Sequence, residues 1–438
     1  MSEPRPRPDG RRGAGPSLWE ANAGPAPGAG RLTGLVQAEV VVVGAGVSGL
    51  STALHLAREG HEVLVLEAAQ RPDAATGASA GIVTGQIVRK APATVLRHLG
   101  REQGVALLQA VAESAGYVFD LVRSEGLDCA AMQTGFLAPF PARAAGTVAG
   151  IAEGWTPYRT DISVLDAATT RTLTGCQGYA GALLDRSGGG MDPVAYVDAL
   201  ARRAMEHGAA LHRDTLVTAM SRRAEGGWRI SVPGGEIVAG RVVLCANGGN
   251  ASLDPRLANS VLPLDVCEVA TPPLPEDMRR AILPEQHVLT DLSTDVFSIR
   301  YDSAGRLITA CVAPDRIDRA QIERAINRRL SDMLPAWRQM PLEHVWVGTA
   351  WLNTDLLPRI AVLAEDAIAV QACNGRGLAI NTLAGREAAR WARAEPNGYR
   401  TLLPMKPPRR VAGFALARHL PNLMMGAARI GRSLMPRR

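Results

Sequence analysis

Two glycine turns carry the residue patterns best suited to chemistry. The first lies in "EVVVVGAGVSGLSTALHLAREGHEVLVLEA", where Gly44, Gly46 and Gly49 spell GxGxxG. In such a motif the first glycine allows a tight turn, the second lets a pyrophosphate approach the backbone, and the third lets helix and strand pack closely. Ala45, Val47 and Ser48 complete the turn. Free N–H groups and the dipole of the following helix then hold phosphate. Glu67 lies 18 residues beyond Gly49 and is followed by Ala68, the position of a ribose-binding carboxylate. An acid there accepts a free 2′-hydroxyl and repels a 2′-phosphate, so FAD or NAD is favoured over NADP.

The second turn lies over three hundred residues later, in "CNGRGLAINTLAGREAAR" from Cys373 to Arg390. Asn374, Gly375, Arg376 and Gly377 precede a helix whose apolar face is Ile380, Leu383, Ala384, Ala388 and Trp391. Glycine is more at home at a helix C-terminus, so a glycine pair at the N-terminus needs a reason. The elements around the first turn explain themselves. Val40 to Val43 form a buried parallel strand, Leu50, Ala53, Leu54 and Ala57 a helical face, and Val63 to Leu66 the next strand.

A chain of 438 residues, 47% hydrophobic, holds two or three domains with a large core. No apolar run reaches the ~18 residues of a membrane span. The start, rich in Pro, Gly and Arg, reads as a disordered arm over 1–35. Six scattered cysteines without CxxC spacing argue against metal and disulfide frameworks and fit a reducing cytoplasm. The net charge of +6 is carried by the tail, where 396–438 has nine Lys or Arg and no acid. A basic tail on a slightly acidic body argues against a nucleic-acid partner. The tail reads either as a docked terminal helix or as an amphipathic segment making weak membrane-surface contact.

The stretch "DAATGASAGIVTGQI", with the first turn, resembles the D-amino acid oxidase-like superfamily of FAD-dependent oxidoreductases. The resemblance implies that Gly77, Ala78 and Ser79 wrap the flavin of a non-covalent FAD. It implies that Val217 lies by the adenine and that Ala246, Asn247 and Gly248 end a cofactor-binding strand. It also implies that Asn374, Gly375, Arg376, Gly377 and Leu378 face the pyrimidine edge of the flavin, where a helix N-terminus stabilises negative charge. The implied fold is α/β: a discontinuous Rossmann-like FAD-binding domain at 36–90, 185–255 and 340–395. An α+β substrate domain with a mainly antiparallel sheet takes 91–184 and 256–339. "SLWEANAGP" resembles the arm of γ-glutamylputrescine oxidase-like members.

Amino-acid-using members place a carboxylate-clamping Arg where this chain has Ala350. An amine oxidised at its C–N bond is therefore the expected substrate, with a D-amino acid or imino acid dehydrogenase, or a non-catalytic flavoprotein subunit, as alternatives. Trp351 and Trp346 either bound an amine by cation–π contact or fill the core. Arg300 and Tyr301 are candidates to replace the clamp, although a strand Arg often faces water. The electron acceptor is oxygen or another oxidant. The only lysines are Lys90 and Lys406, so no strand between them supplies an ammonium near a flavin, and slow reaction with oxygen is expected. The expected setting is a bacterial cytoplasm, with the tail giving any membrane-peripheral contact.

Overall fold

Burial on both faces explains the strand Gly34–Val43, whose last four valines are all inaccessible. It pairs in parallel with Val63–Leu66 on one side and with Gly235–Leu244 on the other. Ala210–His212 and Ala367–Gln371 extend the sheet in parallel, and Arg359–Ala364 returns antiparallel, in a sheet of nine strands. Continuous apolar runs are what a parallel sheet covered on both faces requires. The molecule is a computed structural model that describes residues 15–425, except 72–74, 89, 293–296, 315, 395–398 and 400.

A second sheet has eight strands in the order His344–Leu352, Leu262–Pro273, Arg306–Val312, Ser298–Tyr301, Val288–Thr290, Phe136–Phe140, Gly181–Asp185 and Ile162–Asp166. All its neighbours are antiparallel except Val288–Thr290 beside Phe136–Phe140. The mixed architecture is thus a Rossmann-like sheet beside a mainly antiparallel one.

Three expected boundaries differ from the structure. The strand His344–Leu352 hydrogen-bonds along its length to Leu262–Pro273, so it belongs to the second sheet and not to the cofactor-domain segment expected at 340–395. The helix Arg101–Glu125 falls in the stretch assigned to the substrate domain. Its Leu107, Leu108, Val111 and Val118 nevertheless share one core with the helices Val47–Arg58 and Gly377–Arg393. That core also accounts for its composition: it is the one described helix long and apolar enough to cross a membrane, and its apolar face is covered by protein. The expected arm over 1–35 lies partly outside the described residues, and of the described part Ser17, Leu18, Trp19 and Leu32 are buried. Ser17 and Glu20 form a capping box on the helix Leu18–Asn22, and Leu18 and Trp19 are buried.

The helices Val47–Arg58 and Gly377–Arg393 touch at Gly385. A Cβ there would lie 2.5 Å from both the Ser48 carbonyl oxygen and the Ser51 Cβ. Ser51 Oγ donates to the Thr382 carbonyl at 2.7 Å, and Ser48 Oγ to Asn381 Oδ1 at 3.1 Å. Because neither backbone can yield without breaking these bonds, Gly385→Ala is expected to lower stability by about 1–3 kcal/mol, the usual cost of overpacking. Urea unfolding followed by circular dichroism checks this; an unchanged midpoint would show that the contact is slack.

Candidate active site

The GxGxxG turn closes as its sequence requires. Gly44 has a φ of +103°, and a Cβ on Gly49 would sit 1.9 Å from the Gly44 carbonyl oxygen. The helix it opens, Val47–Arg58, has Gly46 as N-cap and no side chain capping its N–H groups. Glu67, 8% exposed, accepts from the Ala45 N–H at 2.8 Å through one carboxylate oxygen and from the Ala69 N–H at 3.1 Å through the other. These bonds orient the carboxylate beside the glycine turn. Ala68 follows at the strand end, and the Thr215 N–H donates to the Glu67 carbonyl. That brings the Thr215–Val217 segment alongside. Val217 is buried there with Val43 and Leu66, on the connection after Ala210–His212 and not in a strand. Across the sheet Ala246 abuts Gly44, and Asn247 has a φ of +47° with a buried Oδ1 lacking a hydrogen bond.

The late turn lies against the first. Asn374 and Gly375 have φ of +46° and +82°, and Arg376 is the N-cap of Gly377–Arg393, again without a capping side chain. Asn374 Oδ1 accepts from the Asn353 N–H at 2.8 Å, while its buried Nδ2 has no hydrogen-bond partner. Two uncapped helix N-termini therefore converge on one space, a cavity of about 1110 Å³. Its wall includes Val47, Ala78, Ser79, Asn374, Gly375, Arg376, Gly377 and Leu378. The cavity volume, the free N–H groups and the orphan amide of Asn374 fit FAD. The Val47 helix fits its pyrophosphate and residues 374–378 the flavin edge, whereas Glu67, Val217 and Ala246–Gly248 lie off the cavity wall.

The Gly77–Ser79 loop is held from behind. Trp346 Nε1 donates to the Ala78 carbonyl at 3.0 Å and Trp19 Nε1 to the Ser79 carbonyl at 2.8 Å. Arg300 is 2% exposed; it donates to the carbonyls of Ala80, Met191 and Tyr301 and stacks 5.0 Å from the Trp19 ring. Burial pushes it down to about 10.

These contacts correct the expected substrate contacts. Arg300 neither faces water nor clamps a substrate; it braces the Ala78–Ala80 loop through the Ala80 carbonyl. Tyr301 points to the opposite face of its strand, where its hydroxyl donates to the Ile282 carbonyl at 2.9 Å. Trp351 lies off the cavity wall, with its indole filling the space above Gly248. Strand alternation explains this, since Ala350 and Leu352 face the cavity and Trp351 faces away. Trp346 is fully buried beneath the loop. His344 is off the wall as well, and burial lowers its pKa. Cys373 does line the cavity, but burial raises its thiol pKa, as expected of an inert residue.

Sequence reasoning missed several wall residues. Gln86 accepts from Arg376 at 2.8 Å, and burial pushes Arg376 down to about 10. Lys90 lines the cavity. So does Glu268, on the strand Leu262–Pro273. The C-terminal segment also crosses the cavity: Val411, Ala417, Leu420, Met424 and Met425 line it. Asn422 pins that segment by accepting from the Asp265 N–H at 3.0 Å and donating to the Asp265 carboxylate at 3.1 Å. Leu416, Leu423 and Met424 remain largely exposed on it, and 426–438 lie outside the described residues.

The family model described as FAD dependent oxidoreductase matches residues 39–391. Gamma-glutamylputrescine oxidoreductase of Escherichia coli is 25% identical over 368 residues, covering 82% of this chain and 84% of that protein. Among solved structures, glycine oxidase from Geobacillus kaustophilus superposes with a TM-score of 0.67 at 20% identity, covering 83% of this chain and 97% of that one. L-amino acid deaminase from Proteus vulgaris gives a TM-score of 0.68 at 17% identity, covering 84% and 93%.

Replacing Glu67 by Ala removes an acceptor worth about 1.5–3 kcal/mol when charged. The variant is expected to bind FAD about ten- to a hundredfold more weakly while keeping its far-ultraviolet spectrum. Fluorescence titration of the apoprotein measures this, and an unchanged affinity would remove Glu67 from the ribose site.

Proposed function

The chain belongs to the FAD dependent oxidoreductase family, and from that premise we propose that it oxidises the C–N bond of an amine and holds its FAD without a covalent link. FAD, when bound, supplies an acceptor for a hydride from the carbon bearing nitrogen, leaving an imine that water hydrolyses. The observation that carries the amine reading is Ala350. Its methyl group faces the cavity at the position where amino-acid-using members of the resembling superfamily carry a guanidinium. With no fork for a carboxylate at that position, a plain α-amino acid loses its anchor. The similarity to gamma-glutamylputrescine oxidoreductase supports the same reading.

The residues of this chain divide the work. Leu262, Leu264, Val266 and Leu352 give the cavity an apolar wall that excludes water. The helix N-terminus at Gly377 would meet the flavin edge where charge accumulates on reduction. Gly348 stands close against Ala78 and offers no nucleophile for attachment to a flavin. The oxidant that completes the cycle is oxygen or another acceptor. Lys90 on the wall provides a compact ammonium of the kind that favours oxygen, which weighs against the slow reaction with oxygen expected from the lack of a strand lysine.

Anaerobic mixing of the yellow enzyme with a panel of compounds tests the reading. Primary and secondary amines are expected to bleach the flavin faster than alanine or proline of either hand, and acid precipitation is expected to release all the colour. Faster bleaching by the amino acids would move the assignment to an amino acid or imino acid dehydrogenase.

A further inference from the structure

Glu268 stands out as an acid with no structural task. It sits on the strand Leu262–Pro273, between Trp346 on one neighbouring strand and Ala310 on the other. Its side chain points to the sheet face that lines the cavity, together with Val266, Ala310 and Ser298. The residue is 6% exposed, and its Oε2 has no hydrogen-bond partner. A buried carboxylate without a partner is costly, so a fold that merely needed to fill this position would do better with an apolar residue.

The charged groups around it leave the acid unmatched. Arg300 is the nearest cation, but its guanidinium is committed to the carbonyls of Ala80, Met191 and Tyr301. The Cys311 thiol, on the next strand, opposes ionisation, and burial opposes it more, so the Glu268 carboxyl is pushed up to about 8. Elsewhere on the wall Lys90 and Arg376 are cations. Asp291 is an acid already bonded to the Tyr179 hydroxyl and the Phe297 N–H.

We propose that Glu268 is the substrate-binding carboxylate of this cavity, taking a cationic nitrogen of the ligand as an ion pair on the sheet side of the site. This rests on the amine reading above and narrows it to ligands that carry an N–H cation. Geometry gives the choice of ligand: the acid is aimed into the cavity, desolvated, and short of one donor, which an ammonium or guanidinium supplies. Arrival of the cation stabilises the ionised carboxylate, so below about pH 8 binding releases a proton from Glu268. Affinity therefore rises with pH and levels off above that value.

The same shift has a consequence for stability. Burial holds the folded-state carboxyl above the ordinary glutamate value of about 4.5, so the native protein holds this proton more tightly than the unfolded chain. The associated stability is fully present below about 4.5 and is lost as pH rises through about 8. Above that pH Glu268→Gln is expected to melt higher than the wild type, and a bound cation should raise the wild-type melting temperature but not that of the variant.

The test uses holoenzyme and methylguanidine, a probe that keeps its charge at every working pH. Binding is followed by perturbation of the flavin spectrum and by melting temperature, below and above about pH 8. The proposal expects wild-type affinity to tighten with pH, and Glu268→Gln to bind about tenfold or more weakly without pH dependence. With n-butylamine the variant should show a raised KM and a much smaller change in kcat. Wild-type binding that is flat across this range overturns the proposal, even should the variant fail to fold. So does a variant that binds as tightly as the wild type. If n-butylamine bleaches both proteins alike, Glu268 fails while amine oxidation stands. If methylguanidine binds through Glu268 but no amine bleaches the flavin, the site stands and amine oxidation fails.

Discussion

The close approach of the helices Val47–Arg58 and Gly377–Arg393 is the contact on which the site depends. Only a glycine at 385 lets one backbone lie on the other, and Ser48 and Ser51 then bond across the contact. Packed in this way, both helices begin at the same end of the parallel sheet. Each leaves its first N–H groups without a capping side chain. Two positive helix ends in one apolar cavity form a site for an extended anion. The orphan amide of Asn374 lies on the wall, and the bonded carboxylate of Glu67 stands behind the first glycine turn, off the wall.

The second sheet and the N-terminal segment complete the cavity from the other side. Trp346, Trp19 and Arg300 each donate to a carbonyl of the Ala78–Ala80 loop, which fixes a segment that has no regular structure of its own. A buried guanidinium serves this purpose well because its donors diverge in a plane and reach three carbonyls at once. The C-terminal segment then crosses the opening, held by the paired bonds of Asn422 and Asp265. The cavity is thus assembled from parts distant in sequence. A change behind the loop should be felt at the flavin without touching it.

What the sequence disclosed follows from where its signals are local. The GxGxxG turn, Glu67 and the late glycine turn each lie within one strand–turn–helix unit, so spacing alone located them. The sheet's continuous valines and the helical face from Ile380 to Ala388 were legible for the same reason. Arg300, Tyr301 and Trp351 were misjudged because strand direction depends on register with distant partners, and a shift of one residue turns a side chain to the other face. Trp19 was hidden in a segment whose Pro and Gly content reads as disorder, yet its indole found a partner 60 residues away. Glu268 gave no sequence signal at all, since an isolated acid within an apolar strand acquires meaning only when its neighbours are known.

The central claim is that the two glycine turns form one FAD site. Hydrogen exchange of the apoprotein with and without FAD tests it most directly. Joint protection of the backbone amides at 44–48, 77–80 and 374–378 on adding FAD is the predicted result. Protection at 44–48 with none at 374–378 would contradict the account, because the second helix would then serve the fold and not the cofactor.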